Sequence, residues 1–418
     1  MSSTPTLPHG FGPVPRTGVI FVMQEAHARG FRPGDPEWVN LGQGAPETGT
    51  LPGSPPRLQT MPVNPVSSEY APVAGLPRLR EAVAELYNRR FRAGKRSQYG
   101  PENVAICAGG RAGLTRIAAA LEHVHLGHFL PDYTAYEELL DLFRGFVPIP
   151  ILADQRRLPS PEVLRREIVG RGLGALLLSN PCNPTGDLVG GDDLRAWLQA
   201  ARELSCSLIF DEFYSHYVYE QPEGAGPANS AAAYVEEVNA DPVLVVDGLT
   251  KNWRYPGLRV CWTLGPASVI EAIASAGSFL DGGAPHPVQE AAVELLDPER
   301  ADRESASIRA EFTKKRDLMV RRVREMGLRL DASPKGSFYC FPSLEWLPPA
   351  LADGERFFQA ALDRKVITVP GQFFDVDPGQ RRSHLPSRLQ GFVRLSFGPP
   401  RSEVELGLDR LAEMCAPG

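Results

Sequence analysis

No stretch of the chain approaches the run of about 18 apolar residues that a membrane-crossing helix requires. The opening residues, MSSTPTLPHGFGPVPR, also lack the basic start and apolar core of a secretory signal. A cytoplasmic protein with no membrane partner is expected. Cysteine is sparse and scattered: Cys107, Cys182, Cys206, Cys261, Cys340 and Cys415 form no C-x-x-C pair, which fits reduced thiols better than a disulfide frame or a zinc ribbon. Positive charge is not in excess either. Lys and Arg total 44 against 50 Asp and Glu, a net charge of -6, which argues against a nucleic-acid surface. Neither an internal repeat nor a heptad array is present.

What is there describes an ordinary globular chain. Its 418 residues are 43% hydrophobic and 22% charged, and roughly 150 residues per domain gives two or three domains. Forty glycines and forty prolines punctuate it with turns. Residues 1–16 read as a Pro-rich polar arm, Gly18 to Arg29 as a helix, and DPEWVNLGQGAP as a short strand entering a Gly-rich turn. From about Pro62 to Pro266, apolar runs alternate with helical patterns: NVAIC (103–107), GHFL (127–130), GALLLS (174–179), CSLIF (206–210), PVLVVD (242–247) and LRVCWTL (258–264). That alternation predicts an α/β fold with a mostly parallel sheet. A charged helix from Pro298 to Met326 follows, then FYCF, VITV and FVRLSF as strands of a smaller α+β unit. Ligands of open α/β sheets collect outside the carboxyl ends of the strands, so chemistry is sought there.

Several strand endings carry reactive groups. The strand closing at Ser179 runs into NPCNPTG (180–186), a rigid turn able to hold Asn183 against a ligand, or simply a turn of good turn residues. CSLIF ends in Asp211-Glu212-Phe213-Tyr214, whose first carboxylate reads as a metal ligand, a helix cap or the partner of a cation. PVLVVD ends in Gly248-Leu249-Thr250-Lys251, with Arg259 eight residues beyond the lysine. Alone, such a lysine reads as a solvated charge. NVAIC leads into Ala108-Gly109-Gly110-Arg111-Ala112-Gly113 and a helix, whose N-terminal N–H groups can cradle an anion. Arg394 stands inside the apolar strand FVRLSF and requires an anionic partner. His123, His125 and His128 have loose metal-ligand spacing but straddle a helix end and a strand start, so no metal is expected. Cys107, ending a strand before the glycine turn, reads as a small buried hydrophobe or a neighbour of the ligand.

Taken together, Asn183, Asp211, Tyr214, Lys251 and Arg259 resemble, in order and approximate spacing, the pyridoxal-phosphate enzymes of fold type I in the class I/II aminotransferase family. SEYAPVAGLPRLREAV (68–83), LGQGAP (41–46), PDYTAY (131–136) and FVRLSF (392–397) extend the resemblance over nearly the whole chain. It implies a large domain (51–297) with a mostly parallel, seven-stranded type of sheet flanked by helices. A small α+β domain is implied from 298–418, joined by an N-terminal piece (1–50), in a homodimer. It also implies an amino group moved from an amino acid to a 2-oxo acid by pyridoxal 5′-phosphate held as a Schiff base on Lys251. Asp211 would pair with the pyridine nitrogen, Asn183 and Tyr214 would bond the ring O3′, and Tyr133 would stack on the ring. Gly110, Arg111, Thr250, Arg259 and a partner subunit's tyrosine, at the position of Tyr70, would hold the phosphate. Arg394, with Asn183, Gly44 and Ala45, would bind the substrate.

One departure is Gly248, where the family often has serine three residues before the lysine; Thr250 then keeps one hydroxyl, and Arg111 compensates or touches substrate. The stretch 278–289 lacks the second arginine of the dicarboxylate-specific branch, so acidic side chains are not the expected substrates; His286 and Ile20 are candidate side-chain contacts. Residues 375–391 read as a lid or a tolerated insertion. Two alternatives stay open: a lyase or other carbanion chemistry on an amino acid with the same cofactor, and a non-catalytic protein that keeps the fold.

Overall fold

The computed structural model describes residues 8, 9, 18–61, 63–143, 145–152, 158–220 and 229–416. A helix, Gly18–Ala28, precedes the short strand β1 (Val39–Asn40). The central sheet is built from β2 (Val104–Cys107), β3 (Val124–Leu130), β4 (Phe146–Leu152), β5 (Leu173–Ser179), β6 (Ser207–Asp211), β7 (Val243–Gly248) and β8 (Cys261–Leu264). Its seven strands lie in the order β2-β8-β7-β6-β5-β3-β4. β8 runs antiparallel to both its neighbours, whereas β3 to β7 pair in parallel.

The inner strands are buried on both faces, which is why they read as unbroken apolar runs rather than alternating ones. Leu177, Ile209 and Val246 face one core, packed with Leu114 and Ile117 of the helix Gly110–Ala120. Leu176, Leu178, Leu208, Phe210 and Val245 face another, packed with Leu194, Trp197 and Leu198 of the helix Gly191–Leu204. Each such buried aliphatic contributes about 1.5–3 kcal/mol. Two layers of helix therefore clamp the sheet, and the carboxyl ends of β5, β6 and β7 are left open together.

The strand Phe146–Leu152 is absent from the sequence expectation, because Pro148 and Pro150 argue against a strand. It is an edge strand, paired only with β3. Prolines two apart direct their missing donors to the same side, the unpaired one, so the ladder loses nothing. The expected strand 258–264 is shorter: Pro256–Leu258 is a 3₁₀ turn and Arg259 is left-handed, with φ 52°.

The helix Pro298–Glu325 begins where the Asp297 side chain accepts from the Arg300 N–H at 2.9 Å. It leads to β9 (Tyr339–Cys340), β10 (Val366–Ile367), β11 (Val369–Pro370) and β12 (Val393–Ser396). VITV thus splits at Thr368. Its second half joins the antiparallel sheet β11-β12-β9, and its first pairs in parallel with β1, Val39 opposite Val366. Val22, Ala26, Phe31 and Trp38 share a core with Phe358, Leu362, Ile367 and Phe374. The N-terminal piece and the C-terminal segment are one packing unit, and it stands over the open strand ends. Residues 375–391 are tied by Asp375, whose carboxylate accepts from Arg382 at 2.8 Å and from Ser387 Oγ at 2.8 Å. Among the described residues no helix is long and apolar enough to cross a membrane.

Candidate active site

A cavity of about 380 Å³ opens at the carboxyl ends of β5, β6 and β7. Asn183, Asp211, Tyr214, Thr250, Lys251, Arg259, Gly110, Arg111, Tyr133, Arg394 and Gly44 all line it. A larger cavity, about 530 Å³, lies under residues 372–388, but neither Asp211, Lys251 nor Arg394 reaches it.

Three parallel strands place the central groups. Asp211 ends β6, with Ser179 of β5 directly opposite and Val246 of β7 on its other side. Its carboxylate accepts from Tyr136 Oη at 2.9 Å and from the Phe213 N–H at 3.4 Å. Burial pushes its pKa up to about 6, against the pull of the Tyr136 hydrogen bond and the Lys251 charge. A cation beside it would restore its charged form.

Lys251 follows the end of β7 and donates from Nζ to the Gly44 carbonyl. Burial, reinforced by the positive charges of Arg394, Arg259 and Arg111 and opposed by Asp211, lowers its pKa to about 7. A large fraction of the amine is therefore neutral, and nucleophilic, near neutral pH.

The anion cradle is built from backbone constraints. Gly109 at φ 92° precedes the helix Gly110–Ala120 with no side-chain cap, so the first N–H groups remain available. A Cβ at Gly109 would collide with the Arg259 guanidinium, and one at Gly110 would come within 2.6 Å of Phe213. Thr250 Oγ1 is buried with no partner, a donor awaiting an acceptor. At Gly248 a side chain has no room, since its Cβ would lie 2.5 Å from the Val260 carbonyl oxygen. The missing serine is therefore imposed by the packing of β7 on the segment entering β8.

On the opposite wall, Arg394 Nη1 donates to Asn183 Oδ1 at 3.0 Å and Nη2 to the Gly42 carbonyl at 2.7 Å, while Nε is buried without a partner. Its guanidinium lies 4.2 Å from the Tyr339 ring centre and 4.9 Å from that of Phe374. Tyr339 Oη is 3.0 Å from Tyr214 Oη, and Asn183 Nδ2 is 3.5 Å from the same oxygen. Arg111 donates to Tyr133 Oη at 3.3 Å.

These distances describe an amine, a carboxylate that favours a cationic neighbour, an anion cradle and an unsaturated arginine around one space. That donor set fits pyridoxal phosphate: the cradle and the orphaned Thr250 hydroxyl for its phosphate, Asp211 for its ring nitrogen, Lys251 for its aldehyde. The aminotransferase class I and II family model matches residues 36–411. The chain belongs to this family. It is 29% identical over 354 residues to the aspartate/prephenate aminotransferase of Thermus thermophilus, covering 83% of each chain. It is 27% identical to aromatic-amino-acid aminotransferase 2 of Thermococcus litoralis, covering 83% of this chain and 84% of that one. The solved aspartate aminotransferase from Thermus thermophilus with maleate superimposes with a TM-score of 0.76 at 26% identity, over 96% of this chain and 97% of that one. The fold is thus that of the fold-type-I aminotransferases, and this family member is a pyridoxal-phosphate-dependent transferase.

Not every expected residue reaches the cavity of this aminotransferase. Ala45 lies outside the lining, while Tyr70, whose expected role is in the partner subunit's site, is 96% exposed on this chain. Ile20 is exposed, and its neighbour Val19 lines the cavity instead. His286 bonds the Glu69 carbonyl through Nδ1 at 2.9 Å, outside the cavity. The three other histidines diverge: His123 is exposed, His125 bonds the Arg171 carbonyl, and His128 is fully buried in β3. Cys107 is buried opposite Cys261 in β8. Tyr136, Tyr339, Ser179 and Phe213 are site residues that the sequence reading missed. Tyr136 was visible as the last residue of PDYTAY, and Tyr339 as the tyrosine of FYCF.

The lowered lysine pKa has a kinetic signature. The rate at which the cofactor-free protein combines with pyridoxal phosphate is expected to rise with pH through an inflection near 7 and then level off, because only the neutral amine attacks. Stopped-flow absorbance across pH 5.5 to 10 measures it; an inflection near 10, where an unperturbed lysine titrates, would contradict the burial of Lys251.

Proposed function

We propose that this aminotransferase binds pyridoxal phosphate through the residues just described and acts on amino acids whose side chains are not acidic. Lys251 is the attachment amine and, once freed by an incoming amino acid, the base that removes and returns the proton at the substrate Cα. Asp211 holds the ring nitrogen in its protonated form. Bound pyridoxal phosphate supplies the electron sink that makes the Cα proton removable. Asn183 and Tyr214 hold the ring oxygen from one side, and Tyr133 covers the ring face. Arg259, Thr250, Arg111 and the N–H groups opening the helix Gly110–Ala120 take the phosphate.

Arg394 clamps the substrate carboxylate. Its planar fork already has two hydrogen bonds, from Nη1 to Asn183 and from Nη2 to the Gly42 carbonyl. The free Nε and the remaining N–H positions are left for the two carboxylate oxygens. The observation that carries the proposal is the meeting of Lys251, Asp211 and Arg394 in one cavity, although they come from the segment after β7, from β6 and from β12.

Support for non-acidic substrates comes from the cavity wall. Val19, Leu114, Phe213 and Pro256 line it, and no arginine stands in 278–289. The expected result is a kcat/KM for aromatic or aliphatic amino acids at least about tenfold above that for aspartate, the size of roughly one unmatched polar contact. A steady-state donor panel measures it, and a preference for aspartate would overturn the substrate assignment.

We also propose a homodimer. Tyr70, Val63 and Val66 are 96%, 67% and 68% exposed on one stretch of this chain, a run of bared apolar side chains that a second copy would cover. Sedimentation should give twice the mass of one chain; a stable monomer with full activity would remove Tyr70 from the phosphate site.

A further inference from the structure

We infer that Asp132 is a positioning residue that fixes the cofactor-facing and the carboxylate-clamping sides of the cavity at the same time. The inference rests on the roles proposed above for Tyr133, Asn183 and Arg394. Asp132 is only 1% exposed and does not line the cavity. One of its oxygens, Oδ1, accepts two hydrogen bonds, from the Tyr133 N–H at 2.7 Å and from Ser179 Oγ at 2.7 Å. The Ser179 hydroxyl in turn accepts from the Asn183 N–H at 3.0 Å. The Asp132 N–H donates to the Phe374 carbonyl at 3.2 Å, and the Phe374 ring lies against the Arg394 guanidinium.

Three segments far apart in sequence therefore converge on one buried side chain and its own amide. The first carries the ring-covering tyrosine after β3, the second the turn 180–186 after β5, and the third the 3₁₀ turn Gly371–Phe374 that precedes the tied loop. Ser179 also sits opposite Asp211 in the sheet, and the Asn180 N–H bonds the Asp211 carbonyl at 2.9 Å. A shift at Asp132 would move Tyr133 directly and Asn183 through one hydroxyl. Asn183 is the residue shared by the ring contact and the Arg394 hydrogen bond, so both substrate and cofactor should register the change.

What the two donors require is an acceptor oxygen, not a negative charge. Burial raises the Asp132 pKa to about 8, so an amide of the same shape should serve as well. That separates Asp132→Asn from Asp132→Ala.

The test uses the cofactor-loaded enzyme in four forms: wild type, D132N, D132A and S179A. Three quantities are read: the cofactor dissociation constant, the circular dichroism of the bound cofactor, which reports ring orientation, and kcat and KM for the best donor amino acid. D132A is expected to weaken cofactor binding and raise KM, each about tenfold, from loss of a buried acceptor with two donors. Its cofactor dichroism should fall. S179A, which removes only a hydroxyl and leaves the aspartate, should raise KM and alter the dichroism in the same direction by a smaller factor. D132N should remain within about threefold of wild type on all three measures. Wild-type dichroism and KM in D132A and S179A would overturn the inference, as would a D132N as impaired as D132A. Should D132A fail to fold, S179A and D132N decide alone. Failure of the underlying reading looks different: wild type itself would then bind no cofactor at Lys251, before any Asp132 variant is compared.

Discussion

Lys251→Ala is expected to lower turnover by at least about 10⁴-fold and to leave pyridoxal phosphate bound only reversibly. A positioned proton-transfer group alone contributes up to about 10⁴, and this lysine is also the covalent attachment point. Removal of the amine should not harm the fold, because Lys251 Nζ makes one hydrogen bond, to the Gly44 carbonyl, and is destabilised by three nearby arginines. A cavity residue under electrostatic stress is held for chemistry, not for stability. The measurement is paired: absorbance of the cofactor after extensive dialysis, and kcat with the preferred donor. An alanine variant that kept the covalent cofactor absorbance and normal turnover would remove Lys251 from its role.

The second large effect is at Asp211. Deleting one partner of a buried ion pair costs about 3–5 kcal/mol, so Asp211→Ala should lower kcat/KM by roughly 10²- to nearly 10⁴-fold. The loss should concentrate in kcat, because Arg394 still binds the substrate carboxylate, and Asp211→Glu should recover part of it. The free protein carries this carboxylate at a cost: its pKa is raised to about 6, chiefly by burial. Raised acid pKa values withdraw stability as pH climbs from the unfolded value near 4 through about 6. Loading the cofactor, which places a cation beside Asp211, should therefore stabilise the wild type more at pH 7.5 than at pH 5, and this difference should shrink in Asp211→Ala to the part set by Lys251, whose pKa is lowered to about 7. Thermal unfolding of loaded and free forms at the two pH values checks the sign; equal increments at both would show that the carboxylate does not meet a cation.

The parts of this molecule that announced themselves in sequence are those governed by local rules. Buried parallel strands must be apolar throughout, so GALLLS, CSLIF and PVLVVD stand out, and the reactive residues follow them within a few positions. Gly109 and Gly110 were readable as a cradle because a glycine-rich turn leads from a strand into a helix N-terminus; that Arg259 and Phe213 leave no room for a side chain there is a tertiary fact. The edge strand Phe146–Leu152 was hidden by its prolines, whose effect depends on which side of the strand is unpaired, a tertiary fact. Ile20 is exposed while Val19 beside it faces the cavity; one step along a helix turns a side chain by about 100°, beyond what a short N-terminal helix discloses. Tyr136 lies 75 positions from the Asp211 it supports, and Asp132 47 from Ser179. Such supporting contacts obey no spacing rule and become visible only when the strand ends are brought together.

Amino-group transfer is the reaction proposed for this cavity. The most direct measurement mixes the loaded enzyme with one equivalent of a neutral amino acid, no 2-oxo acid being present, and identifies the products by absorbance and mass. Stoichiometric appearance of pyridoxamine phosphate and the matching 2-oxo acid, halting after a single turnover, is the predicted result. Continued turnover with release of ammonia or another leaving group, or no spectral change with any donor, would contradict it.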